Sequence, residues 1–252
     1  MMPEPAGPAL LASAEFTIEG EDFSLKSRVT VPAGPARVSD LLPVARALSD
    51  AVVRETSQAV EEAGEKISCK KGCGACCRNL VAISEVEARR IRTVVEQLPE
   101  PRRDTIRARF AEARQRLERA GLLDMLQAAD QATDEDYTTL VSTYFQEGIA
   151  CPFLEEESCS VYDERPITCR EYLVTSPPEN CARLGSEGVR RVRLPLRVFN
   201  AVARWQVRPT EHFLERWVPL ILAPEWAEAH PDDPPPRPGP ELLRELLHHI
   251  GG

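Results

Sequence analysis

The chain has 252 residues, of which 42% are hydrophobic and 28% are charged, and its formal net charge is −9. These values are those of an ordinary globular protein, so the chain is long enough to bury a core without covalent staples. Its acidic balance argues against nucleic-acid binding, which needs a basic face. No apolar run approaches the ~20 residues of a membrane span. We therefore expect neither a nucleic-acid nor a membrane partner; a protein or small-molecule partner stays unidentified.

The first part of the chain predicts a tail, a hairpin and a long helix. Residues 1–13 are rich in Pro and Ala and predict a flexible tail. Residues 15–32 alternate apolar and polar side chains around a Gly-Glu-Asp turn, which predicts a small N-terminal β-hairpin. From Ser39 to about residue 63, apolar residues recur at helical spacing, and Gly64 is the expected C-terminal stop.

Amphipathic helices are predicted between the two cysteine-rich stretches. Ser84 and Glu87 form a capping box for a helix over about 85–97. Apolar periodicity and Gly121 then predict further helices, over about 100–120, 122–131 and 134–147.

The C-terminal part is more irregular. Residues 151–181 predict loops and turns, and 189–199 predict an edge strand because Pro195 cannot donate to a sheet ladder. Helices are predicted over 200–207 and 210–222, a stiff Pro-rich linker over 231–240, and a C-terminal helix over 241–252. The prediction is a mainly α protein, with a single mainly helical domain over 14–230 and a cysteine-rich core at about 69–181.

The eight cysteines fall into two groups. The first group is Cys69, Cys73, Cys76 and Cys77, and the second group is Cys151, Cys159, Cys169 and Cys181. The N-terminus lacks the basic and long apolar regions of a secretory leader, so we expect a cytoplasmic protein with reduced thiols. In that compartment clustered cysteines are more often metal ligands or redox groups than disulfides, although a disulfide protein stays an alternative.

The spacing of the first group predicts a shared inorganic centre. Gly72 and Gly74 flank Cys73 and free the backbone to curl. The neighbours Cys76 and Cys77 project in different directions, so we expect three thiols of this group to share a centre with one from the second group. The remaining thiol would serve a second centre or stay free.

The four histidines, at positions 212, 230, 248 and 249, lie outside both groups. An all-thiolate site fits either a structural zinc or an iron–sulfur cluster. The C-x3-C-x2-C spacing also matches radical S-adenosylmethionine enzymes. That reading is less favoured, because amphipathic helices follow the motif and Ala75 stands where an aromatic residue is expected.

The motifs C-x3-C-x2-CC at 69–77 and CPFLEEESCSVYDERPITCREY at 151–172 resemble the YkgJ-like cysteine-cluster family, which is described as zinc- or iron-chelating. The resemblance covers about residues 69–181. It implies a metal site formed by all eight cysteines, Cys181 included. A similar arrangement occurs in flagellin lysine methylases, which are iron–sulfur proteins, so the resemblance also implies methyl transfer as an alternative.

We favour a cysteine-cluster protein that holds an iron–sulfur cluster, of the 4Fe-4S type, with a redox or active-site-organising role. The alternatives are a zinc-binding structural protein and a methyltransferase, and catalytic residues stay unassigned. Arg165 and Arg170 are expected either to donate hydrogen bonds to sulfur or to form surface ion pairs with nearby acidic residues. Those acidic residues are Asp163, Glu164 and Glu171.

Overall fold

Helices form most of the chain in the computed structural model, which describes residues 10–20, 23–127, 134–183, 188–205, 217–231 and 233–251. This confirms the predicted mainly α class with a small N-terminal hairpin. The helices are α1 (Val38–Glu62), α2 (Glu85–Glu96), α3 (Arg102–Arg119), α4 (Leu122–Gln127), α5 (Asp134–Gln146), α6 (Ile167–Glu171), α7 (Val198–Arg204), α8 (Ala223–Ala229) and α9 (Gly239–Gly251). The strands are β1 (Leu11–Gly20), β2 (Phe23–Pro32), β3 (Pro35–Ala36), β4 (Ala82–Ser84), β5 (Leu154–Glu155), β6 (Ser158–Cys159), β7 (Trp217–Pro219) and β8 (Arg237–Pro238).

The hairpin is longer than its sequence pattern predicts. β1 and β2 pair antiparallel in a register that runs from Leu11 opposite Pro32 to Gly20 opposite Phe23. β1 therefore begins inside the predicted tail, and residues 1–9 and 21–22 lie outside the described part of the chain. Leu25, one of the buried positions of β2, belongs to the same apolar core as α1 and α9.

The two ends of the described chain meet on one side of the molecule. β3 pairs antiparallel with β8, so the segment after the hairpin contacts the segment before α9. The indole Nε1 of Trp205, the residue that follows α7, donates to the carbonyl of Leu242 in α9 at 3.0 Å. α9 also packs against α1 and β2 and buries Leu243 and Leu246. The first and last segments together form one scaffold beside the cysteine-rich region.

The predicted capping box of α2 is confirmed, and it does more than cap α2. Ser84 accepts from the Glu87 amide, and Glu87 accepts from the Ser84 amide. The Glu87 carboxylate, which is fully buried, also accepts from the Ile167 amide at 2.7 Å. Ile167 is the first residue of α6, so one carboxylate satisfies free amides at the start of two helices.

Two predicted elements differ in the structure. Residues 189–199 were predicted as an edge strand, but the described part of this stretch has only an isolated bridge, Val174 to Arg191, and α7 begins at Val198. The predicted helix over 210–222 is wrong for its last six residues. There β7 pairs with β4, and a 3₁₀ turn follows. The cause is long-range pairing of an apolar stretch, which local periodicity does not reveal.

The other predicted helices match the structure within a few residues, apart from 128–133 and 206–216, which are outside the described part. The predicted division into tail, domain and linker stays a prediction, although β1 begins inside the predicted tail and α9 begins inside the predicted linker. Within the described ranges, no helix is both long and apolar enough to cross a membrane.

Replacing Glu87 tests its double role. Glu87→Ala should lower the free energy of unfolding by about 2–3 kcal/mol, because it leaves the buried Ile167 amide and the Ser84 amide without their acceptor. Chemical denaturation measures this change. Glu85→Ala is the matched control, since the Glu85 carboxylate lies in the same first turn but makes only a long contact, 3.8 Å, with Arg89. Equal effects of the two substitutions would contradict the bridging role.

Candidate metal centre

The two cysteine groups are joined through the main chain. The Cys151 amide donates to the carbonyl of Cys77 at 2.7 Å, which ties the end of the first group to the start of the second. The Ser68 amide donates to the carbonyl of Val174 at 2.9 Å. The thiol of Cys69 points to the Tyr172 carbonyl, with Sγ at 3.6 Å from the oxygen. Stretches about 70 to 110 residues apart in sequence are thus brought side by side.

Gly74 allows a close approach between the groups. A Cβ at this position would lie 2.4 Å from Cδ1 of Leu154 and 2.6 Å from the carbonyl oxygen of Glu157. Only glycine therefore fits against the turn between β5 and β6. The next contact reinforces the join, because the Arg78 guanidinium donates twice to the Glu157 carboxylate, at 3.0 and 2.5 Å.

The second group is carried by four separate small elements. Cys151 precedes β5, and Cys159 ends β6. Cys169 lies on α6, whose Thr168 hydroxyl donates to the Ala82 carbonyl at 2.6 Å and whose first amide bonds to Glu87. Cys181 lies on a 3₁₀ turn over Pro178–Ala182. The elements are short and irregular, and bonds to the helical scaffold hold them.

The thiols of both groups influence one another electrostatically. The hydrogen bond with Cys77 and burial raise the pKa of Cys76. Burial first, and then the negative charges that Cys76, Cys181 and Cys73 can carry, raise the pKa of Cys69 to about 11. Burial likewise raises the pKa of Cys151 and Cys169, with smaller contributions from Cys159 and Cys76. Burial also raises the pKa of Cys159 and Cys181. Without a cation, these thiols are neutral at pH 7.

The described residues contain no preformed site for a single metal ion. All eight cysteines are described and are free thiols, and no three Cys, His, Asp or Glu side chains in the described ranges are arranged to hold one metal ion. Zinc holds its sulfurs at about 2.3 Å, so tetrahedral ligands lie about 3.8 Å apart. In a cluster each thiolate binds a different iron, which accepts a wider spacing.

Arg165 faces the thiols. Its guanidinium lies 4.0 Å from the centre of the Tyr162 ring, and its positive charge lowers the pKa of Cys76, Cys159 and Cys169 against the larger effect of burial. Its Nε is buried without a hydrogen-bond partner. A buried donor without an acceptor costs about 1–3 kcal/mol, and sulfur of a bound centre would satisfy it. The hydrogen bond from Arg165 to sulfur therefore stays a prediction.

Arg170 forms an ion pair that the sequence did not predict. Its Nη1 donates to both carboxylate oxygens of Asp50 in α1, at 2.9 and 2.8 Å. Its remaining donors reach the main-chain carbonyls of Arg165 and Asp163, rather than a thiol or one of the predicted carboxylates. Arg170 thus fixes the loop that carries Arg165 to the scaffold.

Glu164 is a second anchor for the same loop. Its carboxylate accepts from Arg46 of α1 at 2.7 Å and from Arg90 of α2 at 2.6 Å. The hydrogen bonds from Arg90 and Arg46 lower the pKa of Glu164 to about 2. The sequence motif contains Glu164 but gives no signal for its partners, which lie 118 and 74 residues away.

The described histidines lie on or next to helices α8 and α9, outside the cysteine groups. The ring of His230 stacks on Trp226, with centroids 4.5 Å apart, and His248 and His249 lie in the last turn of α9. His212 is outside the described residues.

Residues 68–185 match the model of the CxxCxxCC family, whose description is "putative zinc- or iron-chelating domain". We refer to residues 68–185 as the CxxCxxCC segment. The match confirms the resemblance drawn from the motifs, and it spans slightly less than half of the chain. No curated protein and no solved structure matches the chain. The hairpin, α1 and the scaffold after residue 185 lie outside the CxxCxxCC segment.

The contact at Gly74 predicts the effect of one added methyl group. Gly74→Ala should force the two cysteine groups of the CxxCxxCC segment apart and lower the metal bound by the purified protein at least several-fold. Metal content per chain is the measurement. Gly34→Ala is the matched control, because its Cβ would meet no atom within 4 Å. Normal metal content in the Gly74 variant would show that the close approach is not needed.

The Glu164 anchor predicts a pH-dependent contribution to stability. Its folded pKa of about 2 lies below the ordinary value of 4.5, so its contribution is complete above pH 4.5 and is lost as the pH falls through about 2. Because the side chain is 35% exposed, solvent screens the pairs, and Glu164→Gln should cost only about 1 kcal/mol at pH 7. The difference from wild type should shrink towards pH 2, whereas Glu112→Gln, on an exposed face of α3, should change little at any pH.

Proposed function

We propose that the protein holds an iron–sulfur cluster, of the 4Fe-4S type, through thiolates from residues 69–77 and 151–181, and that the cluster has a redox or active-site-organising role. The observation that carries the proposal is the main-chain join between Cys77 and Cys151, which brings both groups of thiols into one electrostatic neighbourhood. The family match supports the coarser conclusion of a zinc- or iron-chelating segment.

One feature favours a cluster over a single zinc. It is the unpartnered Nε of Arg165, whose positive charge acts on Cys76, Cys159 and Cys169. Hydrogen bonds to sulfur tune iron–sulfur clusters, and a nearby guanidinium offsets their negative charge.

The electrostatic neighbours of each thiol fall into two sets that share Cys76. Cys151, Cys159 and Cys169 form one set, and Cys69, Cys73 and Cys181 form the other. We propose the first set, completed by Cys76 or Cys77, as the ligands of the cluster, because Arg165 and Phe153 lie on that side. Phe153 is buried and packs edge-on against Phe110, with ring centroids 5.4 Å apart, which keeps water from that side of the site. The other set then forms a second thiol site.

Within this proposal the chain's own residues hold and shield the centre. A bound cluster would supply electron transfer or a Lewis-acidic iron. Arg165 would donate a hydrogen bond, and Lys71, whose ammonium lies 5.3 Å from the centre of the Tyr162 ring, would add positive charge near the first group. The cytoplasm, where thiols stay reduced, is the compartment that we propose. Nothing in the described residues favours methyl transfer.

Metal analysis of anaerobically purified protein tests the proposal. We expect iron and acid-labile sulfide in equal amounts, a brown colour, and loss of the visible absorption on exposure to a chelator and oxidant. Stoichiometric zinc without iron or sulfide would show that the cluster proposal is wrong and that the zinc alternative is correct.

Two cysteine variants sharpen this experiment. Cys169→Ser should lose most of the iron and sulfide and much of its solubility, because metal capture is coupled to the folding of these loops. Cys181→Ser, in the other set, is the matched control and should retain more metal. Equal metal content in the two variants would contradict the division into sets.

A further inference from the structure

A cleft of about 690 Å³ lies beside the first cysteine group. Ser68 and Lys70, on either side of Cys69, line one wall, and Thr175 and Pro178 line another. Arg190 closes the third side. The volume is within the ~300–1,000 Å³ of ordinary small-molecule sites.

The charges at this cleft are unusual for the chain. The protein is acidic and uses Arg far more often than Lys, and it has only four lysines. Three of these, Lys66, Lys70 and Lys71, lie within six residues of one another, and the first two line the cleft. Among the described residues, neither of those two ammonium groups has an ion-pair partner, whereas Lys71 contacts Asp163 at 3.6 Å.

The walls of the cleft are tied together by main-chain hydrogen bonds. The Ser68 amide donates to the Val174 carbonyl at 2.9 Å, and the Thr175 amide donates to the Arg190 carbonyl at 3.0 Å. The guanidinium of Arg190 also reaches the carbonyl of Thr175, with Nη2 at 3.4 Å from the oxygen. The cationic groups therefore project from a connected framework.

Two features oppose an anion at this position. Glu65 also lines the cleft, and Gly64 marks the C-terminal end of α1, where the helix dipole is negative. The dipole effect is small at an exposed helix end and is screened by salt. Three cationic side chains against one carboxylate leave the cleft positive.

We propose that this cleft binds a small multivalent anion, a phosphate ester or a polycarboxylate, next to Cys69. Ammonium groups act as mobile point charges, and the planar guanidinium of Arg190 suits two oxygens of one phosphate or carboxylate. The inference goes beyond the proposed cluster, because anion binding at the cleft requires no metal. It places a small-molecule site on the residues that flank Cys69 in the sequence.

Calorimetric titration of the full-length, metal-loaded protein tests the proposal, with inorganic pyrophosphate and citrate as probes at constant ionic strength and acetate as the monovalent comparison. We expect at least one probe to bind about ten-fold or more tightly than acetate. If pyrophosphate binds, the ligand is a phosphate compound, and if citrate binds, the ligand is a polycarboxylate. If both probes bind no better than acetate, the proposal is wrong.

Three variants assign the binding to the cleft. Lys66→Ala combined with Lys70→Ala should weaken binding of the successful probe about five- to ten-fold, and Arg190→Gln should weaken it similarly. Lys26→Ala is the matched control, because Lys26 is the remaining lysine of the chain and lies exposed on β2. Metal content is measured for each. Unchanged affinity in the double variant overturns the site, whereas weaker binding with normal metal separates it from the cluster.

Discussion

Negative charge is costly where eight thiols from two distant stretches of chain share a half-buried neighbourhood. Burial and the neighbouring sulfurs raise the pKa of Cys69 and Cys76, so each thiol makes ionisation of the next one harder. The positive charges nearby are few, chiefly the Arg165 guanidinium and the Lys71 ammonium. A metal centre resolves this conflict because it replaces the protons and supplies positive charge at the sulfurs. The chemistry of the site follows from this constraint.

The segments that carry the thiols have little regular structure, so contacts with the surrounding helices must hold them in place. Carboxylates hold them at three points. Glu87 binds the first amide of α6, Asp50 binds Arg170, and Glu164 joins Arg46 and Arg90. Each contact joins the stretch that carries the second cysteine group to α1 or α2. Long-range polar contacts thus replace the helices and strands that position functional groups in more regular folds.

Local sequence rules predicted the features that depend on local structure. The helices α1, α2 and α3, the capping box at Ser84 and the hairpin follow from periodicity and capping chemistry. The rules failed at β7, because its strand exists only through pairing with β4 across more than a hundred residues. They likewise missed the Asp50–Arg170 pair, since a carboxylate on a helix surface has the same local pattern with or without a distant partner. At the site, the motifs predicted the eight cysteines as ligands, which stays a prediction, while the role of Gly74 required the position of Leu154.

The contact between the two ends of the described chain has a consequence for how the molecule is divided. A fragment cut to residues 68–185 would lose α1 and with it Asp50 and Arg46, and it would also lose α7. The α7 amides of Val198 and Phe199 donate to Glu171, so that buried carboxylate would lose its principal donors. The stretch that carries the motifs therefore depends, for these buried polar contacts, on segments that precede and follow it in the described chain.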